Sequence, residues 1–254
     1  MIDWGRVGYA AFMVIATCIA GVIYRRHRGP SQMNSVQRWG VAIGGLVGAT
    51  FAAKVPFIIG ASPEFGFFGV WMSDGKTVLW GLAGGYVGVE VAKWSLYVKE
   101  RTGDRFVIPV AVAIGVGRLG CLCNGCCYGI PTGGAWGITS RMASSPEVLR
   151  HPAPLYESVF HLAFAAIAFY GQGKRWCRQQ WMLIYLISYC VFRFVSEYWR
   201  MEPDWIWGLT FYQVSAAVFA VCFASILLWR KRTAPVVAGA ESEDGGVIVN
   251  QLDP

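Results

Sequence analysis

Arginine, cysteine and glycine are concentrated between Gly117 and Gly129, directly after an apolar run from Phe106 to Val116. Thirteen residues there include Arg118, four cysteines and four glycines. A guanidinium inside hydrocarbon is costly unless it is paired or faces water, so an arginine at this position marks a site. Glycines remove side-chain bulk and let a headgroup or another backbone approach closely. We expect Arg118 to meet an anionic headgroup within the membrane.

A second polar group follows one face of a later apolar segment. Tyr189, Arg193 and Glu197 are spaced i, i+4, i+8 and therefore share a helix face. Arg118 lies eleven residues beyond Val107, and Arg193 lies eleven residues beyond Met182. At 1.5 Å per residue, both are roughly 16 Å into their apolar runs. Two forked donors at one depth match a phosphate. Alternatively, each arginine pairs with a carboxylate, and Glu197 is one turn from Arg193.

The segment between these two groups carries further polar residues. Glu157 and His161 are spaced i, i+4, and we expect His161 to form a hydrogen bond inside the helix bundle. Arg150 and His151 precede this helix, where they either gate a cavity or belong to an ordinary solvated loop. We expect Arg200, nearer the outer water, to matter less than Arg118 or Arg193.

The elements that position these residues are predicted from composition. The chain has 254 residues, of which 55% are hydrophobic and only 15% are charged, and its mean hydropathy is +0.44. Soluble domains carry about a quarter charged residues, so the composition indicates a polytopic membrane protein. The net charge is +7, but the basic residues are scattered among short loops, which argues against nucleic acid as a partner.

Apolar spans predict an all-α fold with seven transmembrane helices in one domain, residues 1–232. Residues 233–254 are polar and acidic, and we expect a disordered cytoplasmic tail. The predicted spans are Gly8–Tyr24, Trp39–Gly60, Thr77–Leu96, Phe106–Cys123, Pro154–Gly171, Trp181–Trp199 and Leu209–Trp229.

Charge predicts how the spans are oriented. If the loop after the first span is cytoplasmic, fourteen of the 22 lysines and arginines lie inside and five lie outside. Cytoplasmic loops are enriched in these residues. We therefore expect the N-terminus outside and the C-terminus in the cytoplasm.

The cysteine cluster has several interpretations. Cys123 and Cys126 have the spacing of a thiol pair, and four cysteines are enough ligands for zinc. The cluster ends a helix at the outer face, where thiols tend to oxidise, so we predict that it is not a structural metal site. A simpler interpretation is that Cys121 and Cys123 pack inside the bundle while Cys126 and Cys127 have no role.

Several motifs, in order, resemble the bacterial prolipoprotein diacylglyceryl transferases. The family signature Gly-Arg-x-x-Asn-Phe-x-x-x-Glu-x-x-Gly aligns with the segment beginning at Gly117, and the family's Arg-His-Pro-x-x-Leu-Tyr-Glu motif aligns with the segment beginning at Arg150. Its Tyr-x-x-x-Arg-x-x-x-Glu-x-x-Arg motif begins at Tyr189, and Tyr9 is a looser match. The residues in register are Gly117, Arg118, Asn124, Gly125, Gly129, Arg150, His151, Pro152, Leu155, Tyr156, Glu157, Tyr189, Arg193, Glu197 and Arg200.

The chain departs from the family pattern at several positions. Cys121 stands where the signature has Asn, and Cys126 stands where it has Glu. Leu79-Trp80-Gly81 corresponds to the family's His-Gly-Gly segment, so the histidine favoured for activating the acceptor thiol is missing.

The resemblance implies transfer of a diacylglyceryl group from phosphatidylglycerol to the lipobox cysteine thiol of a preprolipoprotein, with release of glycerol phosphate. It also implies a multi-pass protein of the bacterial cytoplasmic membrane, in contact with bilayer lipids and in need of no metal or soluble cofactor. The alternatives are a lipid-binding homologue with lost or altered activity, and a membrane thiol or metal protein built on Cys121 to Cys127.

The resemblance also suggests residue roles. Arg118 and Arg193 would stabilise the leaving phosphate, with Glu197 orienting Arg193. Activation of the thiol falls to Glu157, His151 or Tyr9. Tyr189 and Tyr9 would donate hydrogen bonds to phosphate, and Gly117, Asn124 and Gly129 complete the expected lipid-binding set.

Overall fold

A computed structural model describes residues 3–27, 29, 31–60, 69, 71 and 75–233. The predicted tail from 234 onward and most of the loop between the second and third predicted spans lie outside these residues. Within the described ranges, seven α-helices of 16 to 25 residues account for most of the chain: α1 Trp4–His27, α2 Ser35–Ile59, α3 Val78–Ser95, α4 Gly103–Asn124, α5 Ala153–Gly173, α6 Trp181–Ser196 and α7 Phe211–Arg232.

Five of these helices are long and apolar enough to cross a membrane, namely α1, α2, α4, α5 and α7. Helix α6 has 16 residues and continues as a short 3-10 turn, Glu197–Trp199. Helix α3 has 18 residues and carries Lys93 in its last turn. The structure therefore agrees with an all-α membrane protein, while the count of seven spans stays a prediction.

Small residues bring helices α2 and α3 into backbone contact. A Cβ atom added at Gly48 would lie 2.3 Å from the carbonyl oxygen of Gly84, and one added at Gly88 would lie 2.2 Å from that of Gly44. Such close approach is typical of helix pairs in membranes, where van der Waals packing replaces the hydrophobic effect as the driving force. Glycine is required at these positions because any side chain would separate the two helices.

Two clusters of buried apolar side chains join helices α3 to α7. The first joins α3, α6 and α7 through Leu79, Leu186 and Ala216. The second joins α4, α5 and α6 through Val107 and Tyr185, among others. Helix α5 is also tied to α4 by the hydroxyl of Ser158, which donates to a backbone carbonyl of α4 at 2.8 Å.

One end of the bundle gathers the connections that position the site. Helix α4 ends there, α5 begins, α6 ends and α7 begins. Backbone hydrogen bonds join the α4–α5 connection to the chain after α6: Ile130 N donates to Trp199 O at 3.0 Å, and Gly129 forms an isolated bridge with Arg200. A two-stranded hairpin, β1 Asp204–Ile206 and β2 Leu209–Thr210, leads into α7.

Candidate functional site

A buried carboxylate in the second turn of α5 binds groups from three other parts of the chain. Arg118 Nη2, from α4, lies 2.5 Å from Glu157 Oε2. Arg200 Nη1, from the segment after α6, lies 3.5 Å from Glu157 Oε1. The Tyr189 hydroxyl of α6 donates to Glu157 Oε2 at 3.5 Å. Glu157 therefore connects α4, α5 and α6 at the end of the bundle where the connecting segments meet.

A second buried carboxylate lies where α6 passes into its 3-10 turn. Arg193 Nη1 lies 2.5 Å from Glu197 Oε2, one turn along the same helix. Arg200 Nε is 3.8 Å from Glu197 Oε2, so Arg200 bridges the two carboxylates. The Thr210 hydroxyl donates to Glu197 Oε1 at 3.2 Å and also accepts from Gln213 N to cap α7.

We call Arg118, Arg193, Arg200, Glu157 and Glu197 the charge network. Both carboxylates are only 1–2% exposed, and the side chains of Arg118 and Arg200 are each 12% exposed. Three guanidinium groups thus meet two buried carboxylates, and a third carboxylate, Glu202, reaches Arg200 from the partly exposed rim at 3.7 Å. Nε of Arg118 and Nε of Arg200 are buried without a hydrogen-bond partner among the described residues.

The geometry answers the question of whether the arginines form ion pairs. Arg193 does pair with Glu197, as the sequence alternative allowed. Arg118 pairs with Glu157, on a different helix, which sequence spacing did not indicate. The expectation that Arg200 lies nearer water than Arg118 is wrong, because both side chains are 12% exposed and Arg200 contacts both carboxylates. Its smaller importance for the reaction stays a prediction. The sequence feature that could have indicated this contact is the i, i+3 spacing of Glu197 and Arg200.

The remaining predicted lipid-binding residues lie on α1, on α4 and in the segment that follows α4. Tyr9 interacts electrostatically with Arg118 and packs beside Gly120, and Gly117 packs against α1. The Asn124 amide donates to a methionine sulfur at 3.6 Å on the loop side. Gly129 is buried, and an added Cβ atom would lie 2.3 Å from a backbone carbonyl oxygen, so its role there is close packing.

The two histidines of this region have local partners. His161 Nδ1 lies 2.8 Å from the Tyr185 hydroxyl inside the bundle, which confirms the expected internal hydrogen bond. His151 Nδ1 lies 3.1 Å from the Tyr156 hydroxyl, and its ring contacts Trp199. His151 therefore lies at the rim, beside the segment that carries Arg200.

Three cysteines converge next to Arg118. The sulfurs of Cys121, Cys126 and Cys127 all lie within 4.8 Å of one another. Hydrogen bonds from the other two thiols lower the pKa of the Cys127 thiol, and the nearby guanidinium charges add to this effect. Cys123 is exposed, so the interpretation in which it packs inside the bundle is wrong, and it is not one of the three converging cysteines.

A separate cavity of about 290 Å³ lies toward the opposite end of the bundle. Its walls are mostly apolar residues of α2, α3, α4 and α6. At its charged end, Glu90 Oε2 lies 3.2 Å from Lys93 Nζ, and Glu90 Oε1 lies 3.2 Å from Arg230 Nη2. No residue of the charge network lines this cavity, so its apolar walls and the network are distinct features.

A family model described as prolipoprotein diacylglyceryl transferase matches residues 2–229. Among similar proteins, the phosphatidylglycerol–prolipoprotein diacylglyceryl transferase of Clostridium tetani is 27% identical over 77% of this chain and 81% of its own length. The proteins of that name from Chlorobaculum tepidum and Pseudomonas fluorescens are 33% and 31% identical, over 59% and 65% of this chain. These two alignments span 55% and 61% of the relatives' own lengths, less than two thirds.

Proposed function

Because the chain belongs to the prolipoprotein diacylglyceryl transferase family, we propose that it transfers a diacylglyceryl group from phosphatidylglycerol to the lipobox cysteine thiol of a prolipoprotein. The observation that carries the site assignment is the charge network. Its three guanidinium groups meet two buried carboxylates and, at the rim, Glu202, and the Nε–H groups of Arg118 and Arg200 are buried with no hydrogen-bond partner among the described residues. A buried donor without a partner is costly, so these two Nε–H groups favour a hydrogen-bond acceptor such as a lipid phosphate oxygen.

The charge network stabilises the negative charge that develops on the leaving phosphate. The acceptor sulfur attacks the glyceryl carbon that carries the phosphate ester. A carbon–sulfur bond forms, the carbon–oxygen bond breaks, and its electron pair leaves on the phosphate oxygen as glycerol phosphate. Arg118 and Arg193 stabilise that growing negative charge, which guanidinium groups do well because their planar fork matches phosphate oxygens.

The carboxylates and Tyr189 position the arginines. Glu157 binds both Arg118 and Arg200, so it serves better as a fixed counter-charge than as a base for the thiol. Glu197 orients Arg193 in the same way, and the Tyr189 hydroxyl lies within 3.5 Å of Glu157 and can turn toward a phosphate oxygen. His151 and Tyr9, at the rim, remain the candidates for accepting the proton of the acceptor thiol.

All seven helices cross the bacterial cytoplasmic membrane, with the N-terminus outside and the C-terminus in the cytoplasm. The support is the fourteen-to-five distribution of lysine and arginine. This topology puts the charge network toward the outer face, where exported prolipoproteins present their lipobox. Alkaline phosphatase fused after Arg232 should be inactive and a cytoplasmic reporter fused there active; the reverse pattern would contradict the orientation.

Complementation tests the proposed function in cells. A bacterium depleted of its own diacylglyceryl transferase should keep growing and keep lipidating prolipoproteins when this chain is expressed. The Arg118→Lys variant should fail, whereas Arg6→Lys, whose side chain is 80% exposed, should rescue growth. If the wild-type chain inserts in the membrane at normal levels and prolipoproteins still accumulate unmodified, the proposed function is wrong.

A further inference from the structure

The backbone after α4 is folded so that three thiols meet. Gly125 has φ of 71° and ends the helix in the left-handed conformation, and Cys126 N then donates to Cys121 O at 3.1 Å. Cys127 has φ of 60°, a conformation that non-glycine residues rarely adopt. These two reversals return Cys126 and Cys127 to the end of α4, beside Cys121, and the strained Cys127 backbone favours a role for its side chain.

The sulfur positions suit a tetrahedral metal ion. At a zinc–sulfur distance of about 2.3 Å, two sulfurs of a tetrahedral site lie about 3.8 Å apart. The three sulfurs here lie within 4.8 Å of one another, so a movement of about 1 Å completes the site. Two of the thiols lie in the segment that follows α4, where rotation about the side-chain bonds supplies such a movement.

The charges around the three cysteines also favour a bound divalent metal ion. Three thiolates and one divalent cation carry a net charge of −1, and Arg118 and Arg200 lie within electrostatic range of Cys127. The guanidinium groups therefore stabilise the complex as a whole, although each would repel a bare cation. Sulfur ligands select soft ions such as Zn²⁺ over Mg²⁺ or Ca²⁺.

We propose that Cys121, Cys126 and Cys127 bind one Zn²⁺ ion, and that the fourth ligand of this ion is the cysteine thiol of the acceptor. Three protein ligands with one open position are the pattern of catalytic rather than structural zinc sites. This replaces the sequence-based expectation of no metal, which did not anticipate that three sulfurs converge. The identity of the fourth ligand rests on the proposed function, whereas metal binding by the three cysteines does not.

The open position explains how the acceptor is activated. Binding of the thiol to zinc would release its proton, by way of His151 or Tyr9, to the outer water and would leave a thiolate, the nucleophilic form. The sulfur then forms its bond to the glyceryl carbon while the carbon–oxygen bond breaks and the electron pair leaves with the phosphate. The product is a neutral thioether, a weaker ligand than thiolate, so it dissociates from the metal. No oxidant or reductant is consumed.

Cobalt binding tests the site with a readout other than activity. Full-length protein, purified in detergent, reduced and freed of metal, is titrated with Co²⁺ and separately with Zn²⁺. Wild type should bind one ion per chain and show thiolate-to-cobalt charge-transfer absorption with visible bands typical of tetrahedral cobalt. Cys126→Ser and Cys127→Ser should each weaken Co²⁺ binding by at least tenfold. Cys123→Ser is the matched control, because Cys123 is on the same segment but exposed, and it should bind like wild type.

Lipobox peptides then identify the fourth ligand. A peptide with the lipobox cysteine should change the visible bands of the cobalt protein, and the same peptide with serine at that position should not. Less than one ion per chain in protein whose thiols are all reduced, or equal loss in Cys123→Ser, would overturn the metal site. A disulfide within the cluster that persists in protein isolated from cells, with no metal bound, would also overturn it. Metal binding without any transfer would instead refute the proposed function and leave the site standing.

Discussion

Replacement of Arg118 by lysine separates a phosphate-binding arginine from one that only pairs with Glu157. Lysine keeps the positive charge, so its ammonium still satisfies the carboxylate that lies 2.5 Å from Nη2 in the wild type. It cannot reproduce the fork, and it removes the buried Nε–H that has no hydrogen-bond partner among the described residues. If this fork binds the leaving phosphate, the loss corresponds to one donor of a charge-stabilising site, about 10²–10³ in rate or about 2.7–4 kcal/mol.

The assay is the initial rate of transfer of labelled diacylglyceryl from phosphatidylglycerol vesicles to a lipobox peptide. Thermal unfolding in detergent is measured on the same samples, so that a folding defect is not mistaken for a chemical one. Arg6→Lys, at an exposed position, should transfer at the wild-type rate. A folded Arg118→Lys protein that transfers within threefold of wild type would refute the phosphate role and leave only the ion pair.

Three further predictions concern stability and follow from the same contacts. Glu157→Gln should lower the free energy of unfolding by about 3–5 kcal/mol, because it leaves Arg118 buried without its counter-charge, and denaturant titration in detergent measures this. Thr210→Ala should lose about 1 kcal/mol by removing the cap of α7 and a hydrogen bond to Glu197, while Thr210→Ser should keep both; thermal unfolding compares the two. Gly88→Val should separate α2 from α3, since its Cβ atom would lie 2.2 Å from a backbone oxygen, and should lower the yield of folded protein more than Gly21→Val, which has open space.

Helix positions were predicted well because each span is a long apolar run. The predicted span Phe106–Cys123 became Gly103–Asn124, and Pro154–Gly171 became Ala153–Gly173. Helices α1 and α2 each begin four residues before their predicted spans. Helix α6 ends at Ser196 rather than Trp199 because the chain continues as a 3-10 turn. Hydropathy does not distinguish these two helix types, because it depends on residue type and not on the pattern of backbone hydrogen bonds.

The site was predicted less completely, because its contacts are between elements. A spacing of i, i+4 revealed the Arg193–Glu197 pair, which lies within one helix. The Arg118–Glu157 pair joins α4 to α5 and has no signature in local spacing. Convergence of Cys126 and Cys127 on Cys121 depends on the positive φ of Cys127. A glycine in the sequence suggests such a conformation, but a cysteine does not.

Mass spectrometry of a lipobox peptide incubated with the purified protein and phosphatidylglycerol vesicles tests the central claim most directly. The account predicts a peptide whose mass has increased by one diacylglyceryl group, attached to the cysteine sulfur as a thioether, and an equal amount of glycerol phosphate in solution. The same peptide with serine in place of cysteine should stay unmodified. An unmodified cysteine peptide, under conditions in which the relative from Clostridium tetani modifies it completely, would contradict the account.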